Sequence, residues 1–164
     1  MTERHASDGR AVVMQPNDGP SHWQPVPANG YTHAKLTPDR TGFPDLSMGY
    51  QTIAPGGRVR PHAHDRQIEL QICFRGKGRI VIDGESHPIV PGSAAFLGYN
   101  VTHEIVNEGD DDLVMCWVIA PSGLEDFFAA IGRPRREGEP APAPFPRPGD
   151  VIAIERSLGM QNTK

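Results

Sequence analysis

The chain has 164 residues, 37% of them hydrophobic, enough to bury one core and too few for a second full domain. Its 18 Gly and 17 Pro exclude a helical bundle and suit a loop-rich all-β chain. A net charge of −4 gives no electrostatic reason to expect nucleic acid or an anionic membrane as partner.

Residues 1–30 are polar and carry Pro16, Pro20, Pro25 and Pro27, with only 11–14 able to make a short strand. They read as an N-terminal arm, either mobile or adding an edge strand to a neighbouring subunit. The first ten residues lack the apolar stretch of a signal peptide, and no run approaches the roughly 18 to 20 apolar residues of a membrane span. A soluble cytoplasmic protein is the expectation, with Cys73 and Cys116, which lack CxxC spacing, as buried free thiols.

Segments 31–36 and 46–53 are β-prone and are separated by 37–44, which has turn chemistry throughout. From Val59 onward the pattern is strongly β. Residues 68–74 and 79–82 make two strands, and Asp83-Gly84 then supplies the positive φ that a type I′ hairpin turn needs. Strands 87–90, 94–97 and 102–107 follow, then an acidic loop, then 113–120, an apolar run that reads as a strand buried on both faces. This spacing of strands and turns argues for a barrel or sandwich over 31–120.

The pattern then changes. Ser122 with Glu125 reads as a capping box, Leu124, Phe127, Phe128 and Ile131 follow at helical spacing, and Gly132 is placed to end the helix. Residues 133–149 contain six prolines and form an extended connector, in which Arg133, Arg135 and Arg136 read as a solvated turn. Asp150 then caps a short helix, 151–158, stopped by Gly159.

Chemistry is concentrated in 56–76, GGRVRPHAHDRQIELQICFRG. If 62–64 is extended, the imidazoles of His62 and His64 project from one face. Glu69 lies at an odd offset from His64 and joins them only if the chain bends around 65–67. Beyond it, Gln71 and Cys73 share a face with Glu69. Arg60 shares parity with His62 if the strand is regular through Pro61.

Gly56, His62, His64, Glu69 and Gly76 stand at the fixed positions of the first signature motif of the cupin superfamily. Gly92, Gly98, Asn100, His103 and Asn107 stand at the spacing of the second, with Gly98 in place of a proline and Asn100 in place of a glycine. The second exchange is mild, because asparagine tolerates left-handed backbone; the first is expected to loosen the turn that aims His103. Residues 49–120 thus resemble a small single-domain cupin of the short inter-motif form, and the C-terminal part resembles, more loosely, the tails of quercetin dioxygenase-like cupins.

The resemblance implies a double-stranded β-helix, the jelly roll, with a short helical appendage over 121–164. It implies that His62, His64, Glu69 and His103 bind a divalent transition metal. Three imidazoles and one carboxylate suit Fe, Mn, Co, Ni, Cu or Zn and are too nitrogen-rich for Ca or Mg. The implied function is a metal-dependent enzyme, an Fe(II)-type dioxygenase that chelates a small organic substrate at the metal, with Glu69 as ligand or as base. Redox-neutral isomerase, decarboxylase or lyase chemistry, and non-catalytic binding of a small ligand, are the alternatives. Around the ligands, Gln71 is a candidate hydrogen-bonding group and Arg60 a candidate partner for a carboxylate or enolate, with a solvent-facing arginine as the competing reading. Phe96, Ile105 and Trp117 are core or pocket residues, core being favoured. His5, His22, His33 and His87 have no partner at ligand spacing and read as surface or packing residues. Small cupins commonly form dimers, so a homodimer is expected.

Overall fold

The computed structural model describes residues 9–162; His5 lies outside them. Residues 11–14 do not form a strand, and the arm instead contributes β1 (Ser21–Trp23), which pairs with β2 (Tyr31–Leu36) of its own chain. The bend before β1 is held by Lys35, 6% exposed, whose ammonium donates to the carbonyls of Gln15, Pro16 and Asp18. Three acceptors offset the cost of burying that charge.

A single turn of helix, α1 (Pro38–Thr41), replaces the expected loop and closes on Gly42 at φ 70°. Then come β3 (Ser47–Ile53), β4 (Arg58–His64), β5 (Ile68–Arg75), β6 (Gly78–Ile82) and β7 (Glu85–Ile89). β6 and β7 form the hairpin on Asp83 and Gly84, whose φ values of 48° and 89° are those of a type I′ turn. β8 (Ala94–Leu97), β9 (His103–Val106) and β10 (Leu113–Ala120) complete the barrel. After it lie α2 (Leu124–Ile131), β11 (Arg133–Pro134), α3 (Val151–Ser157) and β12 (Met160–Asn162).

Two antiparallel sheets result, ordered β11-β1-β2-β3-β10-β5-β8 and β12-β4-β9-β6-β7. This alternation of strands between sheets is the jelly roll, a double-stranded β-helix. Their inner faces meet in a core of Ile53, Cys73, Ile80, Ile89, Ile105, Leu113 and Met115. β10, buried along most of its length, runs on from that core into a second one. There Trp117 and Ile119 pack against Leu124, Phe127, Phe128 and Ile131 of α2 and Met160 of β12. No helix among the described residues is long and apolar enough to cross a membrane.

Several local expectations are corrected. Helix α2 starts on Gly123 rather than a Ser122 cap, because Gly123 has φ 134°, which suits glycine. The Ser122 hydroxyl donates to the Pro44 carbonyl instead, and Glu125 accepts from the Gly123 N–H and the Ser47 hydroxyl. At α3, Asp150 makes no side-chain cap. Its carbonyl accepts from the N–H groups of Ala153 and Ile154. Arg135 is not solvated: its guanidinium lies 3.9 Å from the Tyr31 ring centre and 5.1 Å from that of Trp23, two cation–π contacts that pin the connector. Gly159, at φ 75°, reverses the chain into β12, too short a strand to leave a periodic signal.

Asn107, 1% exposed, ties the end of β9 to its neighbours: its amide donates to the carbonyls of Ile53 and Asp111 and accepts from the Gly109 N–H. Asn107→Ala leaves those groups unpaired and is expected to cost about 2 kcal/mol. Urea unfolding measures it, and an unchanged midpoint would refute the role.

Candidate metal centre

The donor groups come from three strands. His62 and His64 leave β4 on the same face and are both buried. Between Val59 and His62 the register with β9 slips by one residue, a bulge at Arg60-Pro61, where proline has no N–H for the ladder. The strand is therefore not regular through Pro61, contrary to the parity assumed for Arg60. The bulge has a use: the Arg60 carbonyl accepts from His62 Nδ1–H at 2.8 Å, which orients the ring and leaves Nε2 free.

His103 stands opposite His62 in the β4–β9 pair, with ring centres 4.1 Å apart. Its Nδ1–H donates to the Val101 carbonyl at 3.1 Å, so its Nε2 also faces the cluster. Asn100, just ahead of it, takes φ 62°, the left-handed conformation expected of a residue standing in for glycine, and its N–H donates to the His64 carbonyl. The bend around 65–67 is also present. Gln67 holds it by donating to the carbonyls of Pro121 and Ser122.

That bend delivers Glu69. Its Oε2 lies 3.2 Å from His64 Nε2 and 3.1 Å from His103 Nε2, while its Oε1 accepts from Gln71 Nε2 at 2.7 Å. One ligand atom from each of His62, His64, Glu69 and His103 lies within 4.8 Å of all the others. Burial, then the neighbouring His103 and His64, hold His62 well below the usual imidazole range, so it is neutral with a free lone pair. Burial pushes the Glu69 carboxyl up, but hydrogen bonds to His103 and His64 outweigh it and hold the group below the usual carboxylate range. Neutral imidazole and ionised carboxylate are the forms that bind metals.

The geometry supplies its own test of fit. Both nitrogens of His103 face acceptors, the Val101 carbonyl and the Glu69 carboxylate. A neutral imidazole carries one N–H and satisfies one of them. A cation among His103 Nε2, His64 Nε2 and Glu69 Oε2 resolves the conflict, and the mixed nitrogen and oxygen donors suit a transition metal.

The cluster opens into a cavity of about 620 Å³, counting its open side, lined by His62, Glu69 and Gln71 and by Phe127 and Phe128 of α2. Arg60 lines it as well despite the bulge. Phe96 does not: Leu97 points inward beside Glu69, so the alternation of β8 turns Phe96 outward, 67% exposed. Trp117 is in the core behind α2, Ile105 and Cys73 are in the barrel core, and His87 is on the surface. His33 is buried against the Gly19 carbonyl, a packing role.

Lining residues that escaped the sequence reading include Gln24, Gln51 and Arg58 and, from the C-terminal segment, Arg147 of the connector and Glu155 of α3. Glu155 lies four residues beyond Val151, on the inward stripe of its helix with Ile154 and Leu158. A carboxylate on an apolar stripe was the available signal. Nothing local marks Arg147.

A jelly-roll barrel with three histidines and one glutamate converging at one end of its interior defines the class of protein, a small barrel with a candidate metal site. Residues 49–119, the greater part of the barrel, match the family model described as a cupin domain. The polyketide synthase CurC of Streptomyces cyaneus is 27% identical over 86 residues, covering 52% of this chain and 56% of that protein. The quercetin 2,3-dioxygenase of Aspergillus japonicus is 26% identical over 145 residues, 76% of this chain and 40% of that one. The chain thus spans about half of the length of these curated relatives. Among solved structures, a predicted oxalate decarboxylase of Thermotoga maritima superposes with a TM-score of 0.58 at 23% identity, covering 68% of this chain and 100% of that one, which shows the shared fold.

Proposed function

We propose that the chain is a mononuclear metal-dependent cupin enzyme, an Fe(II) dioxygenase acting on a small organic substrate. The observation that supports this is the convergence of His62, His64, Glu69 and His103 beside a cavity walled by aromatic and aliphatic side chains of α2. Those four residues would hold the ion, which, as iron, supplies Lewis acidity and redox chemistry with O2. The chain's own groups prepare the site. Gln71 engages one oxygen of Glu69, and His64 and His103 engage the other, which favours Glu69 as a fixed ligand over Glu69 as a mobile base. Phe127 and Phe128 give the cavity an apolar side, beside which charges interact more strongly than in water. Arg60 is positioned to orient an anionic group of the substrate. The likeness to a quercetin 2,3-dioxygenase over 76% of this chain supports the oxidative reading. The outer face of the larger sheet exposes Phe74 against Tyr50, which supports a homodimer through that face.

Metal analysis of protein purified without chelator, followed by O2 uptake with β-diketones, flavonols, catechols and thiols, tests the reading. One iron per chain and substrate-dependent O2 consumption are expected. Tightly held zinc with no uptake would overturn the dioxygenase and favour redox-neutral chemistry.

A further inference from the structure

We infer that Arg147, held by Glu155, forms an anion-binding subsite in the metal cavity, and that the substrate is a small hydroxylated or enolic carboxylate with an apolar body. The inference rests on the reading of this cavity as the metal-dependent active site, and it names the substrate class that the cavity admits.

Glu155 is 3% exposed and accepts from the Arg147 guanidinium, while Arg60 Nη2 approaches the same carboxylate oxygen at 4.0 Å. Two guanidinium groups thus lie beside one carboxylate on the cavity wall. An anion entering the cavity would lie beside both guanidinium groups.

Two unmet polar groups describe the ligand further. Arg147 Nη1 is buried with no hydrogen-bond partner, and so is Gln71 Oε1. Both residues line the cavity that contains His62 and Glu69. The first needs an acceptor, and a carboxylate is the acceptor that matches a guanidinium best. The second is an acceptor and needs a donor, while the Gln71 amide nitrogen donates to Glu69. A hydroxyl or enol supplies one. The wall also carries Leu124, Phe127, Phe128 and Met160, with Gln24 and Gln51 among its polar members, so the body of the ligand meets mostly apolar side chains.

This subsite is not part of the barrel. Arg147, Glu155 and the apolar wall all lie beyond residue 119, outside the segment matching the family model. Yet they are anchored to the ligand strand itself, because β12 pairs with β4 at Met160–His64 and Asn162–His62. The same segment that covers the metal donors therefore selects what reaches them.

Mandelate, a hydroxylated carboxylate with a phenyl body, and mandelamide, its neutral isostere, are suitable probes for calorimetric titration of the protein as purified, with metal content measured in parallel. Wild type is expected to bind mandelate about tenfold more tightly than mandelamide, with the difference shrinking as salt rises. Arg147→Gln is expected to remove that preference while keeping the metal. An Arg147→Gln protein that binds mandelate like wild type overturns the subsite, as does a wild type that binds acid and amide equally, a comparison that needs no variant to fold. Chelator-stripped wild type separates the two readings. A preference for the acid that persists after stripping supports the guanidinium subsite. One that disappears places the carboxylate on the metal and overturns the subsite while upholding the metal centre. Protein that holds no metal as purified and takes none up when metal is added, yet still prefers the acid, upholds the subsite and overturns the metal-dependent reading.

Discussion

His103→Ala is expected to weaken metal retention at least about 100-fold while leaving the barrel folded. Changing the outer partners of metal ligands typically costs about 10- to 100-fold in affinity, so removing a donor atom costs more. His103 is suited to the experiment because its backbone does its structural work without the imidazole. β9 is held between β4 and β6 by main-chain pairing, and among the described residues the ring hydrogen-bonds only to the Val101 carbonyl and the Glu69 carboxylate. Elemental analysis after dialysis reads the metal, and circular dichroism reads the fold. His87→Ala, on the exposed hairpin, is the matched control and should keep its metal. Occupancy in His103→Ala equal to wild type would remove His103 from the site. Since Glu69 is braced by both His64 and His103, the alanine variant should also lose substrate-dependent O2 uptake.

The trio on β4 and β5 was legible in the sequence because strand geometry has period two and the bend at 65–67 contains no strong strand former. His103 was legible only through the spacing of the second motif. It is 34 residues from Glu69 in the chain; the β4–β9 pairing sets it opposite His62, and it meets Glu69 across the two sheets. Asn100 was legible from its own chemistry, since few residues accept positive φ. Other features left no local trace. The bulge at Arg60-Pro61 depends on what β9 offers opposite it. In Ala94-Ala95-Phe96-Leu97 each position is apolar, so alternation could not say which side chains point inward, and packing against β5 decided for Leu97. Arg135 looked solvated until Trp23 and Tyr31, more than a hundred residues away, were folded against it. The Arg147–Glu155 pair was hidden for the same reason as β12: its meaning depends on docking against β4, a contact that no window of neighbouring residues contains.

Trp117→Ala is expected to cost about 4 kcal/mol, within the range for removing a buried aromatic side chain. The ring is 0% exposed and lies against Gly49 on the paired strand β3, so closely that a Cβ on Gly49 would sit 2.5 Å from its Cζ2. On its other side Phe128 of α2 approaches with ring centres 5.8 Å apart. Surroundings matched this closely to an indole cannot collapse onto an alanine, so both the transfer energy and a cavity term are lost. Trp117→Phe should be milder, about 1 to 2 kcal/mol, because the indole Nε1 is buried without a hydrogen-bond partner and its removal offsets part of the lost packing. Urea unfolding followed through Trp23, the other tryptophan, measures both. The candidate metal donors stand on β4, β5 and β9, so the folded fraction of Trp117→Ala should hold as much metal as wild type. Ligand binding should weaken, because α2 supplies the apolar wall of the cavity and Trp117 is what α2 rests on. A Trp117→Ala protein that lost metal and ligand together would show that the ring supports the donor strands themselves, and that the core under α2 and the metal centre are one unit.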